Sequence, residues 1–521
     1  MPDPRRRTLN WSRNRASPTS VSAPTGGWND RDSIADMEPL DAVSMVNFFP
    51  GTADVQLRYG FSNHATALPG QVETLINYSG STTESLFAMA NGNVYDVTAA
   101  GAVGAPVLAG LTNSRWQWVN IATPGGNFIE MCNGSDAVYT YDGTTWTDQS
   151  AAITGVTSSD LININLHKNR VWFIEVGTLV AWYLPTQSIT GAANQLDLSA
   201  FCPHGGYLLA MGTWTIDAGY GVDDLAVFVT NLGDVAVFRG TDPGSASTWA
   251  IVGMWYIGAP IGNRCLKKYG GDLLIITQDG LQPMSLALQS SRVNPRSSLT
   301  DKIRTQMAAA ARTYQDNFGW EVELFPPQNM LIMNVPVVTG STQQQYVMNT
   351  ITGNWCNFQG WDANTFCLFS GDELYFGGNT IVAKAWNTNA DKDQMGNSVA
   401  IEAQVLQAFS YYGSAGQSKR FTLMRPTFLV NGGVSVQGDI NVDFDTSAPA
   451  STLAVVPISG GIWDAGLWDT ALWAADLSLS RVWQGTTGIG YSGAPRIGVS
   501  SDGFRLQWLS TDIVLEAGGI L

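Results

Sequence analysis

Short apolar or alternating runs that flank tight polar turns recur between residues 74 and 390. The clearest is LFAMANGNVYDV at 86–97, with Asn91-Gly92 in the turn. Asn-Gly is the strongest short-range hairpin signal, because the favoured two-residue turn needs positive φ at both positions. Such hairpins recur roughly every 40–60 residues, a period typical of propeller blades. The other six lie at 128–146, 171–183, 225–238, 273–286, 330–349 and 372–386.

The spacing leaves room for four short strands in each unit. A four-stranded unit cannot bury both of its faces alone, whereas a ring of such units buries them and protects the strand edges. We therefore predict an all-β fold with a β-propeller of six or seven four-stranded blades over residues 74–395. The number stays open, because the first or last hairpin could belong to a neighbouring domain.

One helical insertion interrupts the predicted propeller at 297–316. The stretch SSLTDKIRTQMAAAARTYQDNFGW combines an alanine run with apolar positions at helical spacing. Thr300 is a suitable capping residue by type. The apolar stripe fits core packing better than a partner site, and its members are Leu299, Ile303, Met307, Ala310 and Tyr314.

After about residue 395 the pattern changes to alternating strands separated by polar turns. It predicts a separate C-terminal β platform or sandwich domain over 396–521. Within it, IWDAGLWDTALWAAD places Trp463, Trp468 and Trp473 at a period of five, which matches neither a helix nor a strand. Two interpretations stay open: aromatic packing inside the domain, and a tryptophan ladder at a subunit interface, where Trp is a frequent anchor.

Composition and charge narrow the functional classes. Charged residues make up only 13% of the 521 residues, while 55 are Gly and 19 are Trp. This balance favours a β-rich chain with much surface in contact with other protein. The net charge of −16 argues against wrapping nucleic acid, because phosphate binding needs Lys and Arg. It does not argue against DNA passing by, since an acidic wall repels phosphate and avoids adhesion.

The cysteines and the N-terminus bear on the compartment. Five scattered cysteines without CxxC or zinc spacing suggest free thiols in a reducing compartment. No apolar run approaches the ~18 residues of a membrane span, so none is expected. Residues 1–22 form a basic arm without the apolar core of a signal peptide, and we expect synthesis in a cytoplasm. This arm is either a solvated tail or a segment that docks on an acidic neighbour.

Motifs for catalysis are scarce. The three histidines are not at metal-ligand spacing, and the chain has no GxSxG elbow and no P-loop. We therefore predict no catalytic residue, no metal site and no cofactor. A glycosidase that uses two carboxylates stays open, because its acids can come from any two blades.

Residues 23–73 read as an extended strap that packs on the folded body. Prolines at 24, 50 and 39 exclude a helix, and bulky aromatic residues supply anchors. The segment GGWNDRDSIADMEPLDAVSMVNFFPGTADVQLRYGF at 26–61 resembles the N-terminal signature of the tail nozzle proteins of short-tailed bacteriophages, also described as tail tubular protein B or packaged-DNA stabilisation proteins. Candidate assembly residues within it are Trp28, Asp32, Phe48, Phe49, Arg58 and Phe61, and the tryptophans at 463, 468 and 473 complete this set.

The resemblance extends over most of residues 23–430. Its downstream segments lie at 317–320, 329–337, 345–363, 372–379 and 418–426. It implies a β-propeller plus a β platform, and six copies in a ring below a dodecameric adaptor. It also implies that the ring retains packaged double-stranded DNA and conducts it at ejection without sequence-specific binding. Tail fibres or spikes dock on such rings, and the chain would be a virion component made in the host cytoplasm.

Two alternative hypotheses about function stay open. One is a carbohydrate-active or receptor-binding propeller of the virion. The other is a propeller scaffold without any role toward DNA. A nozzle should form a six-fold ring, a glycosidase should hold two close acids in a pocket, and a lectin-like module should bind glycans as a monomer.

Overall fold

The computed structural model describes residues 16–217, 222–287, 298–449, 451–455 and 477–520. The chain divides into two compact units. We call residues 28–31 and 58–401 the propeller unit, and residues 1–27, 32–57 and 402–521 the platform unit. The segment expected to be one strap therefore contributes to both units instead of lying on one body.

Strands make up most of both units. The first 25, in chain order, are β1 (Ser17–Ser22), β2 (Gly27–Trp28), β3 (Asp41–Val46), β4 (Phe48–Pro50), β5 (Val55–Leu57), β6 (Gly60–Thr66), β7 (Val72–Ser79), β8 (Glu84–Ala90), β9 (Asn93–Asp96), β10 (Gly101–Ala102), β11 (Leu108–Ala109), β12 (Gln117–Thr123), β13 (Gly126–Cys132), β14 (Tyr139–Tyr141), β15 (Trp146–Asp148), β16 (Ile153–Thr154), β17 (Leu161–His167), β18 (Arg170–Glu175), β19 (Val180–Tyr183), β20 (Gly191–Ala192), β21 (Asn194–Asp197), β22 (Leu208–Asp217), β23 (Val222–Thr230), β24 (Asp234–Gly240) and β25 (Trp249–Tyr256).

The remaining 20 strands are β26 (Leu266–Tyr269), β27 (Asp272–Thr277), β28 (Gly280–Pro283), β29 (Glu321–Phe325), β30 (Met330–Val338), β31 (Thr342–Asn349), β32 (Trp355–Gln359), β33 (Thr365–Phe369), β34 (Glu373–Gly377), β35 (Val382–Thr388), β36 (Asp391–Lys392), β37 (Ser398–Val399), β38 (Ile401–Gln407), β39 (Gln417–Val430), β40 (Ser435–Val442), β41 (Thr452–Leu453), β42 (Ser478–Arg481), β43 (Gln484–Gly490), β44 (Gly493–Ser501) and β45 (Leu506–Ile520). In the described part of the chain, two α-helices, α1 (Met284–Ala287) and α2 (Arg304–Tyr314), accompany them, together with short 3-10 turns at Ser158–Asp160, Asp301–Ile303 and Pro326–Gln328.

The propeller unit is a ring of antiparallel sheets. Six sheets are separate blades, formed by β7-β8-β9-β11, β12-β13-β14-β15, β17-β18-β19-β21, β22-β23-β24-β25, β26-β27-β28 and β33-β34-β35-β6. Strands β29 to β32 form a further antiparallel meander. The innermost strands contact one another in the order β33, β7, β12, β17, β22, β26, β29 and back to β33, so the ring closes. The prediction of an all-β fold with a six- or seven-bladed propeller is confirmed.

The hairpin signals correspond to neighbouring strands inside these blades. Asn91 and Gly92 have φ of 50° and 70° and join β8 to β9, as the Asn-Gly turn predicted. Between blades, apolar side chains pack in clusters; for example, the Trp172 and Trp249 rings stack with centroids 5.6 Å apart. Each blade therefore buries its faces against its neighbours.

The helical insertion is shorter than the predicted 297–316. The 3-10 turn at Asp301–Ile303 precedes α2, which ends at Tyr314. Thr300 occupies the N-cap position of the 3-10 turn, as predicted, but its side chain makes no capping hydrogen bond. Its hydroxyl oxygen instead accepts a hydrogen bond from the Leu281 amide at 3.2 Å. The predicted core stripe is partly right, because Ile303, Met307 and Ala310 are buried.

The platform unit packs two sheets. One has the order β4-β5-β45-β39-β42, with β1 beside β45 and β43 beside β39. The other contains β3-β38-β44-β40-β41. Phe421, Met424 and Phe428 of β39 are buried, as are Ile440 and Ile497 of the second sheet. The predicted sandwich thus also takes in β1, β3, β4 and β5, which lie outside the expected 396–521.

Candidate functional site

Residues 28–31 dock on the propeller unit. The Trp28 side chain is 8% exposed, and its ring meets the Tyr346 ring edge-on with centroids 5.5 Å apart. The Arg31 Nη1 atom lies 2.6 Å from Asp301 Oδ2. This four-residue stretch is therefore held at both ends, by an aromatic contact and by an ion pair.

Asp30 caps helix α2 from a distant part of the sequence. The Thr305 amide donates to Asp30 Oδ1 at 3.3 Å, and the Gln306 amide donates to Asp30 Oδ2 at 2.5 Å. A carboxylate at this position satisfies orphan amides of the first turn and complements the helix dipole. The residue that performs the expected capping role thus lies 275 positions before Thr305 in the sequence.

Two of the candidate strap residues in the platform unit lie in its first sheet. Phe48 and Phe49 are buried in β4, where they pair with Leu57 and Gln56 of β5. Asp32 is half-buried. Trp463, Trp468 and Trp473 lie outside the described residues, as do the arginines of the basic arm.

Arg58 joins the beginning of the propeller unit to its end. Its guanidinium donates to both Asp391 carboxylate oxygens, at 2.8 and 2.6 Å, and the Arg58 side chain is 1% exposed. The same group donates to the backbone oxygens of Tyr59 and Gln359, at 3.0 and 2.7 Å. Burial raises the pKa of Asp391, and the hydrogen bonds and charge of Arg58 oppose that rise.

The residues after Arg58 complete the closure. Strand β6 adds to β35, so the earliest propeller strand shares a blade with the latest ones. A Cβ atom at Gly60 would overlap the backbone oxygen of Ala390, so only glycine permits this approach. The Phe61 ring packs edge-on against Phe376 with centroids 5.0 Å apart.

The propeller axis holds a charged cavity of about 330 Å³ that sequence reasoning missed. Arg264 is part of its lining and connects several blades. Its Nη atoms donate to Glu321 Oε2 (3.0 Å), Thr365 Oγ1 (3.1 Å), Thr74 Oγ1 (2.7 Å) and the backbone oxygens of Glu73 (3.0 Å) and Trp116 (3.2 Å). No local pattern marks this arginine, because its partners come from four separate parts of the sequence.

The axial carboxylates are engaged by cations. Burial raises the pKa of Glu321, while the Arg264 guanidinium opposes the rise. Glu323 Oε2 lies 2.6 Å from Lys267 Nζ. Burial alone would lower the pKa of Lys267, but the Glu323 and Glu321 carboxylates together outweigh it and raise that pKa. If Glu321 and Glu323 served as the general acid and base of glycoside hydrolysis, each carboxylate would first have to break its ion pair.

A second cavity, of about 600 Å³, lies where several innermost strands end. Its polar lining includes Lys168, Lys268, Asp224, Asn165 and Thr213. Two of these side chains already bind backbone: Asn165 Nδ2 donates to the Met211 oxygen at 2.7 Å, and the Thr213 hydroxyl donates to the Leu166 oxygen at 2.7 Å. The volume is in the range of ligand pockets, and the lining could bind a small polar molecule.

Glu130 is a buried acid inside a blade. Its side chain is fully buried in β13, and neither carboxylate oxygen has a hydrogen-bond partner among the described residues. Burial raises its pKa well above the ordinary value of 4.5. Because this group lies in the interior and away from both cavity linings, we treat it as a feature of stability.

Other predicted classes of site can be compared with the structure. Within the described residues, no group of three or more His, Cys, Asp or Glu side chains is placed to hold a metal ion. The described helices include none that is both long and apolar enough to cross a membrane. All five cysteines are buried and unpaired by disulfides.

Comparisons with known proteins leave the family open. No protein-family model matches the chain, and no curated protein matches it. Among solved structures, the chain is similar to the exo-beta-1,3-galactanase of Phanerochaete chrysosporium with galactose, at 11% identity and a TM-score of 0.28, over 76% of this chain and 95% of that one. It is also similar to BBS1N in complex with ARL6DN, at 13% identity and a TM-score of 0.27, over 44% of this chain and 73% of that one. Likeness this distant carries no argument about activity.

Proposed function

We propose that this protein is the nozzle subunit of a short bacteriophage tail. In this role, copies of the chain form a ring that extends the portal–adaptor channel. The ring retains packaged double-stranded DNA and conducts it at ejection. The chain acts as a structural component of the virion and not as an enzyme.

The observation that carries the proposal is the structural role of residues 57–61 (Leu-Arg-Tyr-Gly-Phe), which end the nozzle-like signature. Arg58 makes the buried ion pair with Asp391, Gly60 leaves room for the Ala390 oxygen, and Phe61 packs on Phe376. The last residues of the signature thus close a propeller ring. Residues that hold the propeller closed are expected in a protein with a structural role.

The charge of the chain supports the same function. A net charge of −16 on each of several copies around one axis gives a strongly acidic tube. Such a tube repels phosphate and lets DNA slide without adhesion. The axial carboxylates are paired with Arg264 and Lys267, which supports a structural role over acid–base chemistry.

A carbohydrate-active or receptor-binding propeller is the second candidate. The cavity of about 600 Å³ with Lys268 and Asp224 in its lining favours it, since these groups can bind hydroxyl groups. The two candidates differ in what the loss of this chain would do to a particle.

The test is electron microscopy of phage particles assembled without this chain, scored for DNA content and tail shape. The nozzle proposal expects empty heads with truncated tails, and rescue by the wild-type chain. Rescue by Asp224→Asn should be equally complete, because a conduit does not need that acid. Full heads with complete tails that fail to adsorb would overturn the proposal and favour the receptor-binding candidate.

A further inference from the structure

One face of the larger platform sheet is apolar and exposed. Four large side chains on it are open to solvent by 39–69% of their surface: Leu423, Leu479, Trp483 and Ile489. The opposite face of β39 carries the buried Phe421, Met424 and Phe428. We call the exposed side, formed by β39, β42, β43 and β45, the β39 face.

Strand register places these residues together. Ile489 of β43 lies opposite Arg420, and Leu479 of β42 lies opposite Leu429. Leu423 lies opposite both Gly485 and Val514, so it is in the middle of the sheet. The apolar side chains therefore extend over the same face and do not lie singly on separate loops. Contiguous exposed apolar surface of this kind marks interaction sites.

A charge network fixes the centre of the β39 face. Arg425 Nε and Nη2 donate to Asp512 Oδ2 at 2.9 and 2.6 Å, and Arg481 Nη2 donates to the same atom at 3.1 Å. The Arg425 guanidinium also lies over the Trp483 ring, 4.5 Å from its centroid. Burial would raise the pKa of Asp512, but hydrogen bonds from Arg425, Ser20 and Arg481 lower it. An ordered Arg–Trp centre loses little side-chain freedom when a partner binds.

The β39 face is large enough for a stable interface. Strand β39 has 14 residues and β45 has 15. Strands β42 and β43 are short, with 4 and 7 residues, and both pair with β39. At about 3.3 Å per residue and about 4.8 Å between strands, the four strands together cover on the order of 600 Å². Each partner in a stable complex buries roughly 600–1,000 Å², so the β39 face lies at the lower end of that range.

The charge of the face identifies its partner. Arg420, Arg425 and Arg481 face outward, against Asp512 and Glu516. These charged side chains of the face include one more positive than negative group, whereas the chain as a whole carries −16, so the residues outside the β39 face are acidic on balance. We propose that the β39 face is a subunit contact that docks on an acidic surface of a second copy of this chain. Two different patches that meet in this way form a head-to-tail contact, which generates a ring when the rotation closes.

This subunit contact would add a specific interface to the proposed nozzle ring. Only the closure of the contact into a ring rests on the proposed function. The contact is tested without particles, by sedimentation velocity of the purified full-length chain over a series of concentrations. The variants are Ile489→Asp and Leu423→Asp, which alter exposed side chains and should fold. Ile351→Asp, at an exposed position in the propeller unit, is the matched control.

The wild-type chain and Ile351→Asp should associate with equal dissociation constants. Ile489→Asp and Leu423→Asp should weaken association at least tenfold, and high salt should weaken the wild-type contact. A wild-type chain that stays monomeric at its highest soluble concentration would overturn the inference. So would variants that associate normally but fail to bind a purified adaptor ring, because the face would then serve a different partner. DNA retention by particles is a separate readout, so failure of the nozzle proposal is distinguishable from failure of this contact.

Discussion

The Arg58 guanidinium donates two hydrogen bonds, of 2.8 and 2.6 Å, to the Asp391 carboxylate, although the two residues are 333 positions apart in the sequence. Both side chains are at least 92% buried. The pair closes the propeller at the point where its first and last segments meet. Removal of one partner leaves an unpaired charge in the interior, which is the costly case for a buried ion pair.

Arg58→Ala should therefore lower the free energy of unfolding by about 3–5 kcal/mol. Urea denaturation followed by tryptophan fluorescence measures the change. Lys384→Ala is the control, because its ion pair with Glu373 is more exposed and should be worth at most about 1 kcal/mol. The double variant Arg58→Met with Asp391→Leu should recover most of the lost stability. If Arg58→Ala is as mild as Lys384→Ala, the ion pair does not hold the closure.

Gly60→Ala should destabilise the same closure through backbone overlap. The added Cβ would meet the Ala390 carbonyl oxygen, so β6 would have to move away from its place beside the end of β35. Overpacking of this kind costs about 1–3 kcal/mol or more. Gly104→Ala is the matched control, since an added Cβ there meets nothing within 4 Å. Equal thermal unfolding midpoints for the two variants would contradict this prediction.

Local patterns predicted the repeated unit well, and long-range pairing explains what they missed. The Asn91-Gly92 turn was visible in the sequence because hairpin geometry depends on the φ values of two adjacent residues. Strand β6 in the last blade, Asp30 at the start of α2 and Arg264 on the axis have no local signal. Their partners are remote in sequence, and only the closed ring brings them into contact. The candidate signature residues were found by their type and order, but the sequence did not reveal what each one contacts.

Asp30→Ala should fray the first turn of α2. Its carboxylate accepts from the Thr305 and Gln306 amides, and loss of such a cap costs about 0.5–2 kcal/mol. Hydrogen exchange should show faster exchange at those amides than in the wild-type chain. Asp30→Asn should retain most of the protection, because Asn caps about as well as Asp. Unchanged exchange in Asp30→Ala would mean that the helix start does not depend on residues 28–31.

Glu130 should make the protein less stable as the pH rises. Its folded pKa lies well above the ordinary 4.5 because burial disfavours the charged form. Above that ordinary value the folded state holds a proton that the unfolded state has lost, so stability is full below pH 4.5 and declines toward the folded pKa. The expected slope is up to about 1.4 kcal/mol per pH unit.

Urea unfolding from pH 5 to 9 should show this decline in the wild-type chain and a flatter profile in Glu130→Gln, which should also be more stable at pH 8. Glu84→Gln, at an exposed position, should behave as the wild-type chain does. Parallel profiles for Glu130→Gln and the wild-type chain would show that Glu130 has an ordinary pKa and that its burial carries no ionisation cost.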